Sequence, residues 1–228
     1  MIDLSNRVIV VTGAAGNLGR AIGRRLHAAG AARVLLDRAG LQADEERTLA
    51  VGEVDLTDGA QVSAALERAK TRFGRIDGLV ATVGGFEGGP AVHETPWSAW
   101  ERMLNANLKT AVTACHAVLP HFVEGGRIVT IGARPGVSSV AGLAPYAASK
   151  AAVIRLTESI ALEHRDRNIT ANCIAPSTID TPQNRAAMPG ANFFNWVPPD
   201  EIAELALFLL SPAARSISGA VIPIYGRA

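Results

Sequence analysis

The sequence predicts a single α/β domain, a doubly wound parallel sheet of about seven strands flanked by helices, and three observations lead there. Short apolar runs of strand length alternate with longer stretches of helical character along the whole chain. The first run, Val8-Ile9-Val10-Val11, passes directly into the glycine-rich turn Thr12-Gly13-Ala14-Ala15-Gly16-Asn17-Leu18-Gly19 and then into a helix-like stretch. No linker, repeat or low-complexity segment divides the 228 residues, of which 48% are apolar, enough to bury one sizeable core. Strands that alternate with helices are joined by crossovers, so neighbouring strands run parallel.

Val8 to Val11 place a strand at 7–12, and the glycine turn delivers the chain into a helix at 17–29. Ala32-Arg33-Val34-Leu35-Leu36 forms a second strand, 32–37, which ends on Asp37. A third strand is read at 50–54, a helix at 59–73 and a fourth strand at 76–83. Thr95-Pro96 is a capping arrangement that opens a long helix over 96–119, with Trp97 and Trp100 in its first turns. A strand at 126–132, a helix at 145–165, a strand at 168–174, a helix at 199–210 and a strand at 219–224 complete the alternation. Ligands of such sheets bind beyond the carboxyl ends of the strands. Gly13, Asp37, Asp55, Gly84, Ala133 and Pro176 all fall there, so the candidate residues converge on one edge.

Two patterns carry chemistry. Tyr146 and Lys150 stand four residues apart in Tyr146-Ala147-Ala148-Ser149-Lys150, within the helix at 145–165. At that spacing the side chains share a face about 5–6 Å apart, so an ammonium beside the phenol favours its ionised form and makes it an acid–base catalyst. Two unrelated surface residues on a helix give the same pattern. The second is the strand, glycine turn and helix at the N-terminus, whose backbone N–H groups suit a pyrophosphate. A tight strand-to-helix turn is the plain alternative. Asp37, 18 residues past Gly19, sits where a carboxylate accepts hydrogen bonds from the adenosine ribose and repels a 2′-phosphate. The expected cofactor is NAD(H). Arg38 beside it leaves NADP(H) as the less favoured alternative.

In order and interval, the glycine turn, Asp37, Asp55, Asn107 and Tyr146-x-x-x-Lys150 resemble the short-chain dehydrogenase/reductase family over nearly the whole chain. The resemblance implies a Rossmann-like domain, hydride transfer between a nicotinamide and a carbonyl or alcohol carbon, and a homodimer or homotetramer. It implies Gly13, Gly16, Asn17, Leu18, Gly19, Asp37, Arg38, Asp55, Leu56 and Gly84 as cofactor residues, together with Tyr146, Lys150, Ile179 and Thr181. Asp55 matches the residue at the adenine amino group, with an N-cap for the helix at 59 as its rival. Asn107 matches the asparagine whose main-chain carbonyl holds a water linked to the lysine. Ile179 and Thr181 match the loop that holds the nicotinamide carboxamide. Tyr146, Lys150 and Asn107 are the implied catalytic set.

Departures from the family pattern are informative. Asn17 replaces a glycine, with Gly16 one step earlier, and Asn tolerates positive φ. Ala81-Thr82-Val83-Gly84 replaces Asn-Asn-Ala-Gly and loses an amide that supports the central strand. The serine expected 13 residues before the tyrosine is Ala133. One oxyanion donor is typically worth roughly 3–4 kcal/mol. Ser138 and Ser139 are candidate replacements. Thr82 to Gly89, Gly132-Ala133-Arg134 and Asp180 to Pro189 resemble dihydropteridine reductases, which prefer NADH and work without the serine. A substrate lid is expected at about 182–198, with Met188, Phe193, Phe194 and Trp196 as pocket walls or, equally, as packing residues.

A net charge of +1 with scattered basic residues implies no nucleic-acid or membrane partner, while the family resemblance implies a small-molecule substrate. Cys115 and Cys173 read as buried reduced thiols, the first strand begins near residue 7 with no room for a signal peptide, and a cytoplasmic location is expected. The histidines have no metal-ligand spacing. The reading is an NADH-linked oxidoreductase. A dihydropteridine reductase proper and a non-catalytic dinucleotide-binding protein are the alternatives.

Overall fold

The computed structural model describes residues 2–42, 46–123 and 125–227. Among these, seven strands form one parallel sheet: β1 (Val8–Thr12), β2 (Ala32–Leu36), β3 (Thr48–Val51), β4 (Gly78–Ala81), β5 (Arg127–Ile131), β6 (Thr170–Pro176) and β7 (Val221–Ile224). Their order across the sheet is β3-β2-β1-β4-β5-β6-β7, so strand order reverses between β1 and β4. The main helices are α1 (Asn17–Ala28), α2 (Gly59–Phe73), α3 (Trp97–Met103), α4 (Thr110–Val118), α5 (Arg134–Val137), α6 (Ala144–Glu163), α7 (Pro182–Ala187) and α8 (Pro199–Leu210). None is long and apolar enough to cross a membrane.

Both faces of the sheet are covered, which explains why its strands read as unbroken apolar runs rather than alternating ones. Val8 and Val10 of β1 face the core built with Val62 and Leu66 of α2 and Ala114 and Val118 of α4. Ile9 and Val11, pointing the other way, pack with Ile22 and Leu26 of α1 and Ile202 and Leu209 of α8. Register aligns the strand ends: Thr12 lies opposite Leu36 on one side and Ala81 on the other, so the glycine turn, Asp37 and Thr82 emerge side by side.

Most expected elements are present, with two corrections. β3 lies at Thr48–Val51 rather than 50–54, because the chain turns out of the sheet at Gly52 and Glu53, the latter with φ 58°. The expected helix at 96–119 is not uniform. α3 passes into a π-helical turn, Leu104–Lys109, before α4 resumes. Such bulges accommodate a side chain that leaves the regular helical face, and here Asn107 is turned inward.

Candidate active site

Tyr146 and Lys150 lie on the first turns of α6, whose second residue is Pro145, a position where the missing N–H is not needed. Lys150 is buried, and its Nζ donates to the carbonyl of Ile131 at the end of β5, 2.9 Å away. Burial of the ammonium pulls its pKa down to about 8. Burial also pushes the half-buried Tyr146 phenol up to about 12. The expected lowering of the tyrosine by its neighbour is therefore not found in this arrangement, where desolvation dominates and the lysine amine is engaged with Ile131.

Asn107 stands behind this pair. Its Nδ2 donates to the carbonyl of Gly85 at 3.1 Å and to Ser149 Oγ at 3.0 Å, while its Oδ1 accepts from the Gly85 amide at 3.0 Å. Ser149 Oγ in turn donates to the carbonyl of Tyr146 at 2.7 Å. The main-chain carbonyl of Asn107, which the resemblance marks for a water, accepts from Thr110 Oγ1 at 3.3 Å. Gly84 lies close against the Asn107 and Lys150 side chains, which a larger residue would displace. A Cβ would stand 2.7 Å from Asn107 Oδ1 and 2.9 Å from Lys150 Nζ.

On the other side of the switch between β1 and β4, Gly13 has φ +69°, and a Cβ there would meet Thr82 Oγ1 at 2.7 Å. Gly19 allows α1 to approach the turn, since its Cβ would fall 2.1 Å from the carbonyl oxygen of Gly13. Asp37 reaches under the turn: Oδ2 accepts from the Ala15 amide at 2.9 Å and Oδ1 from the Ala39 amide at 2.8 Å. Arg38 beside it is exposed. Two expectations are corrected. Asn17 does not need positive φ, because it is the first residue of α1 after the N-cap Gly16, itself at φ −72°. Its Nδ2 instead donates to Gln183 Oε1 of α7 at 2.7 Å, joining the turn to the segment after β6. The amide missing at position 82 is replaced, since Thr82 Oγ1 donates to the carbonyl of Thr12 at 2.6 Å and ties β1 to the end of β4.

Asp55 is exposed and accepts from the amide and hydroxyl of Thr57, both at 2.9 Å, which hold its carboxyl below the usual range. It does not cap the helix. Asp58 does, accepting from the amides of Ala60 and Gln61. Leu56 is buried, and Leu18 packs at the edge of the core under the glycine turn. Past β6, Asn184 Nδ2 donates to the carbonyl of Ile179 at 2.8 Å, and Thr181 caps α7 by accepting from the Asn184 amide at 3.2 Å.

Ala133 is 4% exposed and is the residue preceding α5, with extended backbone. Ser138 and Ser139, at the far end of α5, are exposed. The residues expected in a lid divide. Trp196 is buried and packs on Phe193, ring centroids 4.8 Å apart, so it is a packing residue rather than a wall. Met188 and Phe194 are exposed. The residue overlooked in the sequence is Phe86. It is 68% exposed, yet its ring stands edge-on to Tyr146. Its loop is pinned on both sides, at Gly85 by Asn107 and at Gly89, whose amide donates to the carbonyl of Gly142 at 2.8 Å. A lone phenylalanine among glycines at a strand end was the available signal.

Comparison with known proteins gives the family and the fold. The family model for short chain dehydrogenase matches residues 7–191. The chain is similar to cis-4-hydroxycyclohexanecarboxylate dehydrogenase of Sinomonas cyclohexanicum, 35% identical over 240 residues and covering 97% of this chain and 96% of that protein. The crystal structure of levodione reductase is similar with TM-score 0.89 and 29% identity, covering 98% and 97% of the two chains. That of 3-ketoacyl-(acyl-carrier-protein) reductase from Brucella melitensis complexed with NADH is similar with TM-score 0.84 and 27% identity, covering 97% and 98%. The chain belongs to the short-chain dehydrogenase family.

Proposed function

We propose that this protein is an NAD(H)-dependent oxidoreductase that transfers hydride between a nicotinamide and a carbonyl or alcohol carbon, with Tyr146 as the general acid/base. The observation that carries the reading is the joint placement of Tyr146, Lys150 and Asn107 at the carboxyl ends of β4 and β5, beside the glycine turn and Asp37. A bound nicotinamide supplies or accepts the hydride. Tyr146 keeps its proton through neutral pH and gives it to the carbonyl oxygen as the carbon is reduced. Lys150 has two further N–H donors beyond the one on Ile131, suited to the ribose hydroxyls and to the charge that develops on the phenol oxygen. Asn107 holds the Gly85–Phe86 loop over the tyrosine and supports proton relay on the Lys150 side.

The glycine turn and Asp37 fit a dinucleotide. Two of the roughly four acceptor sites of the Asp37 carboxylate are taken by backbone amides, and the rest remain for ribose hydroxyls. A 2′-phosphate would meet that negative charge, so NADH is the preferred form, and Arg38 is the residue on which NADPH would depend. Gly13, Gly16, Asn17, Leu18 and Gly19 would line the pyrophosphate, Asp55 and Leu56 the adenine, and Ile179 and Thr181 the carboxamide. The segment 182–198 is the proposed lid, a homodimer or homotetramer the proposed assembly, and the cytoplasm the proposed location.

For the substrate, a ring alcohol or ketone is the class best supported. The relative from Sinomonas cyclohexanicum is named for cis-4-hydroxycyclohexanecarboxylate, a ring alcohol that carries a carboxylate, and the edge-on Phe86 gives Tyr146 an apolar neighbour. A conjugated ring such as a quinonoid dihydropterin is the second reading. It is favoured by Ala133, because a readily reduced ring asks less of a second oxyanion donor. A screen of NADH oxidation against cyclohexanones, quinonoid dihydropterin, acyclic ketones and aldehydes tests both. Turnover of ring ketones above all others is expected. No turnover of any carbonyl compound or conjugated ring with either NADH or NADPH would refute the reading.

A further inference from the structure

Three arginines at the carboxyl edge of the sheet rest on aromatic rings. Arg185 lies 4.9 Å from the centroid of Phe193, Arg227 3.7 Å from Phe194 and Arg134 5.0 Å from Tyr225. They are not equivalent. Arg185 is neutralised by Asp180, which accepts from its Nε and Nη2. Arg134 is exposed and, among the described residues, has no carboxylate within ion-pair distance.

The position of Arg134 gives this free charge its meaning. It immediately follows Ala133, the place of the absent serine, and begins α5. α5 in turn packs tightly on α6 at the lysine: a Cβ on Gly136 would stand 2.9 Å from Lys150 Cβ. Tyr225, which supports the guanidinium, follows β7 and is tied to the end of β6 by Ser177 Oγ, which donates to its carbonyl at 2.8 Å. Arg134 thus stands one residue past Ala133, with its guanidinium on the ring of Tyr225, which is tied to the end of β6. A guanidinium lying on an aromatic face keeps its edge N–H groups free, and those groups match a carboxylate bidentately.

We infer that the substrate carries a carboxylate and that Arg134 binds it. The compound is a hydroxy or oxo acid whose carbonyl meets Tyr146 while its carboxylate meets Arg134. This rests on the carbonyl reduction proposed above. In the reductive direction a hydride from the nicotinamide goes to the carbonyl carbon, the Tyr146 proton goes to its oxygen, and the carboxylate leaves unchanged. Arg227, two residues beyond Tyr225, extends the positive rim on which such an acid arrives.

The test compares 4-oxocyclohexanecarboxylate with its methyl ester as substrates at saturating NADH, in wild type, Arg134→Gln and Arg134→Lys. Calorimetry of cyclohexanecarboxylate binding to the NADH-loaded enzyme gives a readout independent of turnover. The acid is expected to exceed the ester at least tenfold in kcat/KM, mainly through KM. Arg134→Gln abolishes that preference without slowing the ester, and Arg134→Lys keeps part of it. Cyclohexanecarboxylate is expected to bind wild type at least tenfold more tightly than Arg134→Gln. An ester used as well as the acid, or an acid preference that survives Arg134→Gln, overturns the assignment and leaves carbonyl reduction standing. If neither ketone reacts but the carboxylate binds through Arg134, carbonyl reduction has failed and the anion site stands. If neither reacts and the carboxylate does not bind, Arg134 is not the handle.

Discussion

The ring of Phe86 meets the ring of Tyr146 edge to face, with centroids 5.0 Å apart and planes at 77°. Burial raises the pKa of this phenol to about 12, and the Phe86 ring is expected to supply part of that burial. Phe86→Ala should therefore bring the Tyr146 pKa down toward its ordinary value, as read by ultraviolet titration of the phenolate. The same substitution should lower kcat/KM on ring ketones by about tenfold, the scale of one lost aromatic contact. An unchanged titration would show that α6 and its surroundings, not Phe86, desolvate the tyrosine.

Lys150 links the site to stability. Its folded pKa of about 8 lies below its ordinary 10.5. Between those values the unfolded chain binds more protons, so this residue's contribution to stability rises with pH across that window. Below about 8 the full cost of burying the ammonium is present. Lys150→Met should thus be more stable than wild type at pH 7, by on the order of 1–3 kcal/mol. The gain should vanish as the pH approaches 10.5. The raised Tyr146 and Cys115 groups act oppositely at high pH but are common to both proteins and cancel in the difference. Urea unfolding of the pair at pH 7 and pH 10 measures this, and a difference independent of pH would contradict it.

Much of this arrangement was legible from residue spacing. The strands carry short buried apolar runs that alternate with the longer helical stretches of α1, α2, α6 and α8, the pattern of a parallel sheet flanked by helices. Tyr146 and Lys150 were found because both lie on one uninterrupted helix. Features set by a tertiary partner were not legible. The π-helical turn at Leu104–Lys109 holds Asn107, whose side chain satisfies the Gly85 backbone, a partner 22 residues away. Thr82 supports Thr12 through a hydroxyl rather than the expected amide, and the Asn17 side chain is committed to Gln183, 166 residues on. Short α5 and α7, at four and six residues, carry too few positions for a periodic signal.

Asp37 should decide cofactor choice. Wild type is expected to bind NADH at least tenfold more tightly than NADPH, a difference of about 1.4 kcal/mol. Asp37→Ser should remove that preference by deleting the charge that opposes a 2′-phosphate. Fluorescence titration with both dinucleotides measures it. Equal affinities in wild type would transfer the role to Arg38.

Ala133 gives a prediction with opposite outcomes for two substrate classes. The position precedes the first turn of α5, where a serine is well tolerated. If the natural substrate is a saturated ketone, Ala133→Ser adds an oxyanion donor and should raise kcat on ketones by up to about 10²-fold. If it is a conjugated ring, the added hydroxyl should change little. A wild type already fast on simple ketones, and not improved by the serine, would assign the donor to Ser138 or Ser139.

The central claim is that Tyr146 supplies the proton. Replacing it with phenylalanine keeps the ring that packs on Phe86 and removes only the hydroxyl. Measured on the best substrate of the screen, Tyr146→Phe should lower kcat by about 10²-fold or more while NADH affinity stays within about twofold. A Tyr146→Phe enzyme with wild-type kcat would show that the proton comes from another group and would contradict the account.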